Sequence, residues 1–187
     1  RNYGMLDSSL FWIQRSKVEM DKAGIEANLP AYYRRLGVYY ELELSELDSA
    51  EFLLKQALTS ALRLKEHRQV IKAYRSLALY YYYPETMSKV DSCFKLGQEY
   101  SQSVGRFGDL YDLLSFRAWF HNLQGNIGLE KEMVASLEVL AEEQNDKVLK
   151  ARAYRELGNY YWSILDLPNA VFQFIKSANL LDEVGNK

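Results

Sequence analysis

The chain has 187 residues, 48% of them hydrophobic, and a formal net charge of −2. That charge gives no sign of a surface for nucleic acid, and no apolar run approaches the roughly 18–20 residues that span a bilayer, so we expect neither nucleic-acid binding nor membrane insertion. The single cysteine, Cys93, excludes an internal disulfide framework.

The first predicted element is one amphipathic helix in residues 1–28. Ser9, Ile13 and Ser16 lie 41 residues before Ala50, Leu54 and Ala57, which are the packed positions predicted for the second helix of the following repeat. The chain therefore opens on the second half of a helical pair. We expect it to be a piece of a longer protein that also continues beyond Lys187.

A repeated pattern defines the next two elements, residues 29–69 and 70–108. Each begins with an aromatic residue, followed by a leucine, a small residue and a tyrosine at i+3, i+4 and i+7, which is one face of a helix. These residues are Tyr33, Leu36, Gly37 and Tyr40 in the first copy, and Tyr74, Leu77, Ala78 and Tyr81 in the second. A second helix follows in each copy, marked by Ala50, Leu54 and Ala57, and by Val90, Phe94 and Gly97. The small residues of the first helix allow close approach between helices.

The third element, residues 109–149, is a degenerate copy of the same pattern. Counting 40 residues on from the second copy gives Leu114, Arg117, Ala118 and His121, of which two fit. For its second helix we predict a shifted register, in which the packed positions after the Gly125-Asn126 turn are Met133, Leu137 and Leu140.

The last element, residues 150–187, repeats the pattern most completely, with Tyr154, Leu157, Gly158 and Tyr161, then Ala170, Phe174 and Ser177. Turn and helix-start signals agree with this division. Gly105 with Gly108 and Asn145 with Asp146 fall between elements, whereas Pro30 marks a helix start, Pro84 a turn inside the second copy, and Asp166 with Pro168 a helix start inside the last. Nothing alternates apolar and polar residues over the length of a strand. The sequence predicts an all-α fold, a right-handed superhelical solenoid of antiparallel helical hairpins that forms a single array over residues 1–187.

The pattern resembles the tetratricopeptide repeat, whose signature is W-x-x-L-G-x-x-Y followed by A-x-x-x-F. Tyrosine stands at the tryptophan position, the late proline is missing, and the 40-residue unit is longer than the usual length of about 34 residues. Long units of this kind are similar to those of bacterial signalling regulators and some eukaryotic scaffold proteins. The resemblance implies a protein-binding or peptide-binding scaffold, which we expect to be the sensory or interaction portion of a larger bacterial signalling or transcription-regulatory protein.

The first helices of such units line a concave groove, which predicts the candidate binding residues. Basic positions are Arg34, Arg75 and Arg155, with Lys72 and Arg152 one turn earlier; Trp119, Trp162, Tyr82 and Asn159 complete the set. Because guanidinium groups pair with carboxylates, we expect an acidic or C-terminal peptide as the partner. The alternative is that these arginines pair inside the wall with Glu41, Glu156 and Asp112.

No motif for catalysis or for a cofactor is present. His67, which we place in a turn between units, and His121 are isolated in sequence, and Cys93 is expected to fill space on an amphipathic helix. We therefore predict no enzyme, no metal and no cofactor, and the compartment stays open between cytoplasm and periplasm. Two other functions remain open: self-association through the incomplete end units, and small-molecule sensing by Trp119, Trp162 and Tyr82.

Overall fold

A computed structural model describes residues 3–82 and 86–185, and within those ranges the chain is built of helices without a strand. The all-α prediction is confirmed, with 86% of the structure in helix. The described α-helices are α1 Tyr3–Ala23, α2 Leu29–Tyr39, α3 Leu47–Arg63, α4 His67–Tyr80, α5 Met87–Ser103, α6 Phe107–Leu123, α7 Ile127–Glu143, α8 Lys147–Ser163 and α9 Leu167–Gly185. None of them is both long and apolar enough to cross a membrane.

The helices pack in sequential pairs: α2 with α3, α4 with α5, α6 with α7, and α8 with α9, while α1 packs on α2. Within the last two pairs the connections are three residues long, 124–126 and 164–166. Connections this short join antiparallel neighbours. The pairs begin at residues 67, 107 and 147, two or three residues before the repeat boundaries predicted at 70, 109 and 150.

Apart from the connection between α4 and α5, which is described only in part, the connections share one backbone feature, a residue in the left-handed region just after a helix. In the described chain these residues recur at intervals of 20 or 21, except for the interval of 40 from Lys65 to Gly105: Gly24, Ser45, Lys65, Gly105, Gly125, Asn145 and Leu165. After α3 the N–H of Glu66 donates to the carbonyl of Ala61 at 2.9 Å, and after α8 the N–H of Asp166 donates to Tyr161 at 2.9 Å. This is the Schellman arrangement, which satisfies carbonyls that a helix end leaves unpaired.

Glycine is required where two helices of a pair meet. A Cβ built on Gly37 lies 2.9 Å from Cγ of Leu54, and one built on Gly158 lies 2.5 Å from Cε1 of Phe174. Real side chains do not tolerate such distances, so the predicted close approach at these two positions is confirmed. Pro30 lies in the first turn of α2 as predicted, and Asp146 caps α8 by accepting hydrogen bonds from two backbone N–H groups.

The first pair contains one extra residue, and the structure shows where it goes. The signature small residue and the first signature residue of the second helix are 13 apart in this pair and 12 apart in the others, as in Gly37 to Ala50 against Gly158 to Ala170. After α2 the chain forms a π-helical turn, Tyr40–Leu44. A π-helical turn accommodates one additional residue within a helix, which explains the change in spacing.

The chain divides into two compact units, Arg1–Val104 and Gly105–Lys187. In the first unit the side chains of Leu54, Val70 and Phe94 are fully buried, and in the second Tyr111 and Leu137 are. The single superhelical array over the whole chain stays a prediction. Tyr83 and Pro84, with the turn expected there, and Lys187 lie outside the described residues.

Two predictions about the second unit were wrong. Gly108, expected to break the chain, lies in the first turn of α6, and only Gly105 has a left-handed backbone. Of the three packed positions predicted for α7, Leu137 and Leu140 are buried as expected, whereas Met133 is only partly buried. The register itself is not shifted, because Glu130, Val134 and Leu137 are buried at the positions that Ala170, Phe174 and Ser177 hold in the last pair. The neighbouring helices hold α7 in the register of the other pairs and bury the carboxylate of Glu130.

Candidate functional site

The second unit contains a cleft between the first helices of its two pairs, α6 and α8, with residues of α7 at its base. Its volume is about 240 Å³. The residues that line it are Ala118, Trp119, Asn122, Glu130, Val134, Glu156, Asn159, Trp162 and Ser163. We call this cavity the α6–α8 cleft.

Two tryptophans form the mouth of the α6–α8 cleft. Trp119 is 46% exposed and Trp162 is 59% exposed. Trp119 is followed on α6 by Asn122, and Trp162 is preceded on α8 by Asn159, so the two helices present the same pair of residue types in opposite order. Residues three apart lie on the same side of a helix, and both pairs therefore face the cleft.

Glu130 supplies a carboxylate to the same cleft. Glu130 is only 5% exposed, and it occupies the position that Ala50, Val90 and Ala170 hold in the other pairs. Oε2 accepts a hydrogen bond from Asn122 Nδ2 at 2.9 Å and a long one from Ser163 Oγ at 3.5 Å. Burial raises the pKa of Glu130 above its ordinary value, although the two hydrogen bonds act in the opposite direction.

Sequence analysis missed Glu130 because a shifted register had removed it from the packed face. A signal was present: counting 40 residues back from Ala170, with the register kept, lands on Glu130. A charged residue at a repeat position that is otherwise small and apolar is costly to bury, and such an exception marks a candidate site.

The arginines predicted for the second unit are engaged with carboxylates of the same unit. Arg152 forms an ion pair with Asp112, and its guanidinium lies 4.4 Å from the centre of the Tyr111 ring. Arg155 pairs with Glu156 at 3.0 Å. Asn159 Nδ2 donates to the other oxygen of the same carboxylate at 3.1 Å. In this unit the two arginines therefore pair with carboxylates of the chain itself, which is the alternative stated in the sequence analysis.

The first unit presents a different environment around Arg34. Its Nε is buried and makes no hydrogen bond with the described residues. Burial, followed by the charges of Arg35 and Arg75, lowers the pKa of Arg34. The residue also lines a cavity of about 470 Å³ together with Trp12 of α1. Glu41, a candidate for pairing with it, forms no ion pair within the described residues, and burial raises the pKa of that carboxyl.

The other candidates of the first unit lie on α4 or just after it. Lys72 is half-buried, Arg75 is exposed and Tyr82 is exposed. The positive charge of Arg75 contributes to lowering the pKa of Arg34. The structure thus brings two of the three predicted arginines near each other. Arg155 belongs to the second compact unit.

The histidine and cysteine side chains considered for catalysis are packed against other residues of the fold. His67 is the first residue of α4, half-buried, and its Nδ1 lies 2.8 Å from the hydroxyl of Tyr100. Cys93 is buried, and burial raises the pKa of its thiol to about 11, which keeps it protonated at neutral pH. Among the described residues no three acidic, histidine or cysteine side chains are grouped as a metal site would require.

Comparison with known proteins gives a structural likeness and no family. No family model matches the chain, and no curated protein matches it. Its fold is similar to the crystal structure of BtubC (BKLC) from P. vanneervenii, with a TM-score of 0.57 and 12% sequence identity over 85% of this chain. The chain spans about 65% of the length of that protein. At this identity the likeness shows the all-helical fold alone.

Proposed function

We propose that this chain is a non-enzymatic interaction module of the tetratricopeptide type, which binds a segment of another protein. The observation that carries the proposal is the pair Trp119 and Trp162, both exposed and both lining one cleft. Tryptophan is the residue type most enriched where binding energy concentrates in protein interfaces, because its large ring buries much apolar area while its N–H keeps a polar contact.

The charge around Arg34 supports a second contact with the partner in the first unit. A half-buried guanidinium whose Nε lacks a hydrogen bond is costly to keep, and a carboxylate from a partner would satisfy it. We propose that Arg34, with Arg75, Lys72 and Tyr82, contacts an acidic part of the bound segment. The module would then serve as the sensory or scaffolding part of a larger signalling or regulatory protein.

A random peptide library displayed on phage tests the proposal, with the whole chain as bait. We expect the chain to enrich peptides whose affinity falls at least about tenfold in the Trp119→Ala/Trp162→Ala variant, because removing a hot-spot residue costs about 2 kcal/mol or more. Phe172→Ala is the matched control, since Phe172 is an equally exposed aromatic residue of the same unit that does not line the cleft.

Two results would contradict the proposal. One is a selection that enriches nothing over an inert bait. The other is enriched peptides that bind the double tryptophan variant as tightly as the unmodified chain.

Self-association is the second candidate function, and the surface of α9 favours it. Val171, Phe172 and Ile175 are each more than half exposed on this helix, and apolar patches of this kind mark contact surfaces. Light scattering over a hundredfold dilution series separates the two functions. A mass that stays at that of one chain at every concentration removes self-association, whereas a mass that falls on dilution and loses its dependence in Phe172→Asp supports it.

A further inference from the structure

We propose that the α6–α8 cleft binds a lysine side chain of the partner segment, with the ammonium group on Glu130 Oε1 and the alkyl chain between Trp119 and Trp162. This inference rests on the proposed function for the source of the lysine. It reverses the charge that the sequence predicts for the partner at this place, because the arginines there are already paired and the buried glutamate is not.

The first support is the state of the Glu130 carboxylate. Both of its hydrogen bonds, from Asn122 and Ser163, go to Oε2, and no described residue donates to Oε1. No lysine, arginine or histidine of the described chain forms an ion pair with it. An uncompensated carboxylate that is 5% exposed is destabilising unless a cation reaches it. The open oxygen and the missing positive charge both point to a cationic ligand.

The second support is the charge of the cleft as a whole. Its lining contains two carboxylates, Glu130 and Glu156, and no basic residue. The nearby cations belong elsewhere: Arg155 is itself more than half exposed while it pairs with Glu156, and Arg152 pairs with Asp112. Asn122, Asn159 and Ser163 are neutral. The cleft is therefore complementary to a positive group.

The third support is the pair of indole rings. Trp119 and Trp162 line the same cavity as Glu130. The face of tryptophan attracts a cation more strongly than that of any other side chain, and indole also covers the methylene groups that a lysine carries below its charge. Two rings beside one buried carboxylate match the two parts of a lysine side chain.

Size and geometry select lysine from among the cations. At about 240 Å³ the cleft is smaller than the range of roughly 300–1,000 Å³ common for drug-sized ligands, so it suits one side chain better than a whole metabolite. Arginine binds best through a fork of two hydrogen bonds to both oxygens of a carboxylate. Here Oε2 is already occupied, and one open oxygen suits the compact ammonium group.

Blocked lysine, N-acetyl-lysine N-methylamide, is the probe, and the indole N–H signals in a ¹⁵N–¹H spectrum are the readout. The chain has three tryptophans, so Trp12, in the first unit, is an internal control. We expect blocked lysine to shift the Trp119 and Trp162 signals with a Kd on the order of 1 mM and to leave the Trp12 signal in place. Blocked norleucine, which keeps the alkyl chain without the charge, should bind at least tenfold more weakly.

Glu130→Gln is the decisive variant, because glutamine keeps an acceptor for Asn122 and Ser163 while removing the charge. It should weaken blocked lysine at least tenfold. Glu138→Gln is the matched control: Glu138 is a half-buried glutamate of the same helix whose pKa burial also raises, and it does not line the cleft. It should bind blocked lysine as the unmodified chain does.

Three results would overturn the inference: no shift of the Trp119 and Trp162 signals up to about fifty times the expected Kd, equal binding of blocked norleucine, or full affinity in Glu130→Gln. Its failure is distinct from that of the proposed function. Selected peptides that need both tryptophans but tolerate lysine-to-norleucine replacement overturn only the lysine contact. Blocked lysine that binds while the library yields no peptide overturns the interaction module and shows a site for a free amine instead.

Discussion

Arg152 and Asp112 form an ion pair across 40 residues of sequence, which is one repeat length. The two residues hold the same position in consecutive pairs, Asp112 on α6 and Arg152 on α8, and their contact shows that equivalent turns of these first helices lie side by side. Arg152 also covers the ring of Tyr111, whose side chain is fully buried. An arginine predicted to meet a ligand instead joins two helices.

Removal of this ion pair should cost more stability than removal of the neighbouring one. For Arg152→Gln we expect the free energy of unfolding to fall by about 1–2 kcal/mol, because a partly exposed ion pair and a contact with an aromatic ring are both lost. Arg155→Gln, which loses only an exposed pair with the adjacent residue, should change it by less than about 0.5 kcal/mol. Urea unfolding followed by circular dichroism measures both, and an equal or larger loss in Arg155→Gln contradicts the assignment.

The close contact at Gly37 predicts a destabilising Gly37→Ala substitution. Alanine gains about 1 kcal/mol of helix propensity over glycine, but its Cβ would lie 2.9 Å from the fully buried Leu54 and 3.2 Å from the carbonyl oxygen of Ala50. Overpacking of this kind costs about 1–3 kcal/mol, so we expect a net loss near 1 kcal/mol.

Gly128→Ala is the control for this substitution. Gly128 lies in α7, and a Cβ built there meets nothing within 4 Å. Its stability should stay level or rise by up to about 1 kcal/mol. Thermal unfolding of the two variants in parallel tests the difference, and similar midpoints would mean that α2 and α3 do not approach as closely as the structure shows.

The left-handed residue after α8 predicts a stabilising substitution. Leu165 has a φ of 63° and is 80% exposed, so the side chain packs little while the backbone conformation costs about 1–2 kcal/mol. We expect Leu165→Gly to raise the free energy of unfolding by about 0.5–1 kcal/mol, after the entropy that glycine adds to the unfolded chain. Gly125→Ala, at the same place after α6 with a φ of 71°, should lower it by about 1 kcal/mol. Unfolding curves that move both variants in the same direction contradict this explanation.

Glu130 predicts a stability difference that depends on pH. Burial raises the pKa of its carboxyl in the folded chain, so the folded state binds the proton more tightly than the unfolded state does. The ionised carboxylate therefore destabilises the fold above the folded pKa, and this penalty disappears as the pH falls below the ordinary pKa of glutamate.

Glu130→Gln should accordingly be more stable than the unmodified chain at neutral pH and equally stable in acid. We expect a gain on the order of 1 kcal/mol at pH 7, or about 2–4 °C in the melting temperature of a chain of this size. Melting curves between pH 7 and pH 4 measure it. A difference that does not shrink as the pH falls means that the charge of Glu130 is not what costs stability. If Glu130→Gln gains stability at neutral pH and also loses lysine binding, the charge of Glu130 serves binding and lowers the stability of the fold.

Much of the local structure follows from the sequence. The signature spacing predicted helices that the structure contains, Pro30 and Asp146 lie at helix starts, and Gly37 and Gly158 stand where helices touch. The 41-residue interval was also visible, but its cause, the π-helical turn Tyr40–Leu44, was not, because an extra residue can be accommodated in a helix or in a loop.

The sequence by itself determined that this chain is a series of paired helices, because helix periodicity, caps and turns depend on residues a few positions apart. The tertiary structure decided which charges are available. Whether Arg152 meets a ligand or Asp112 depends on a distance between residues 40 apart, and whether Glu130 is buried depends on the helices that hold α7 in register. Both are set by packing between pairs, where the free energy of a carboxylate or guanidinium depends on its neighbours in space.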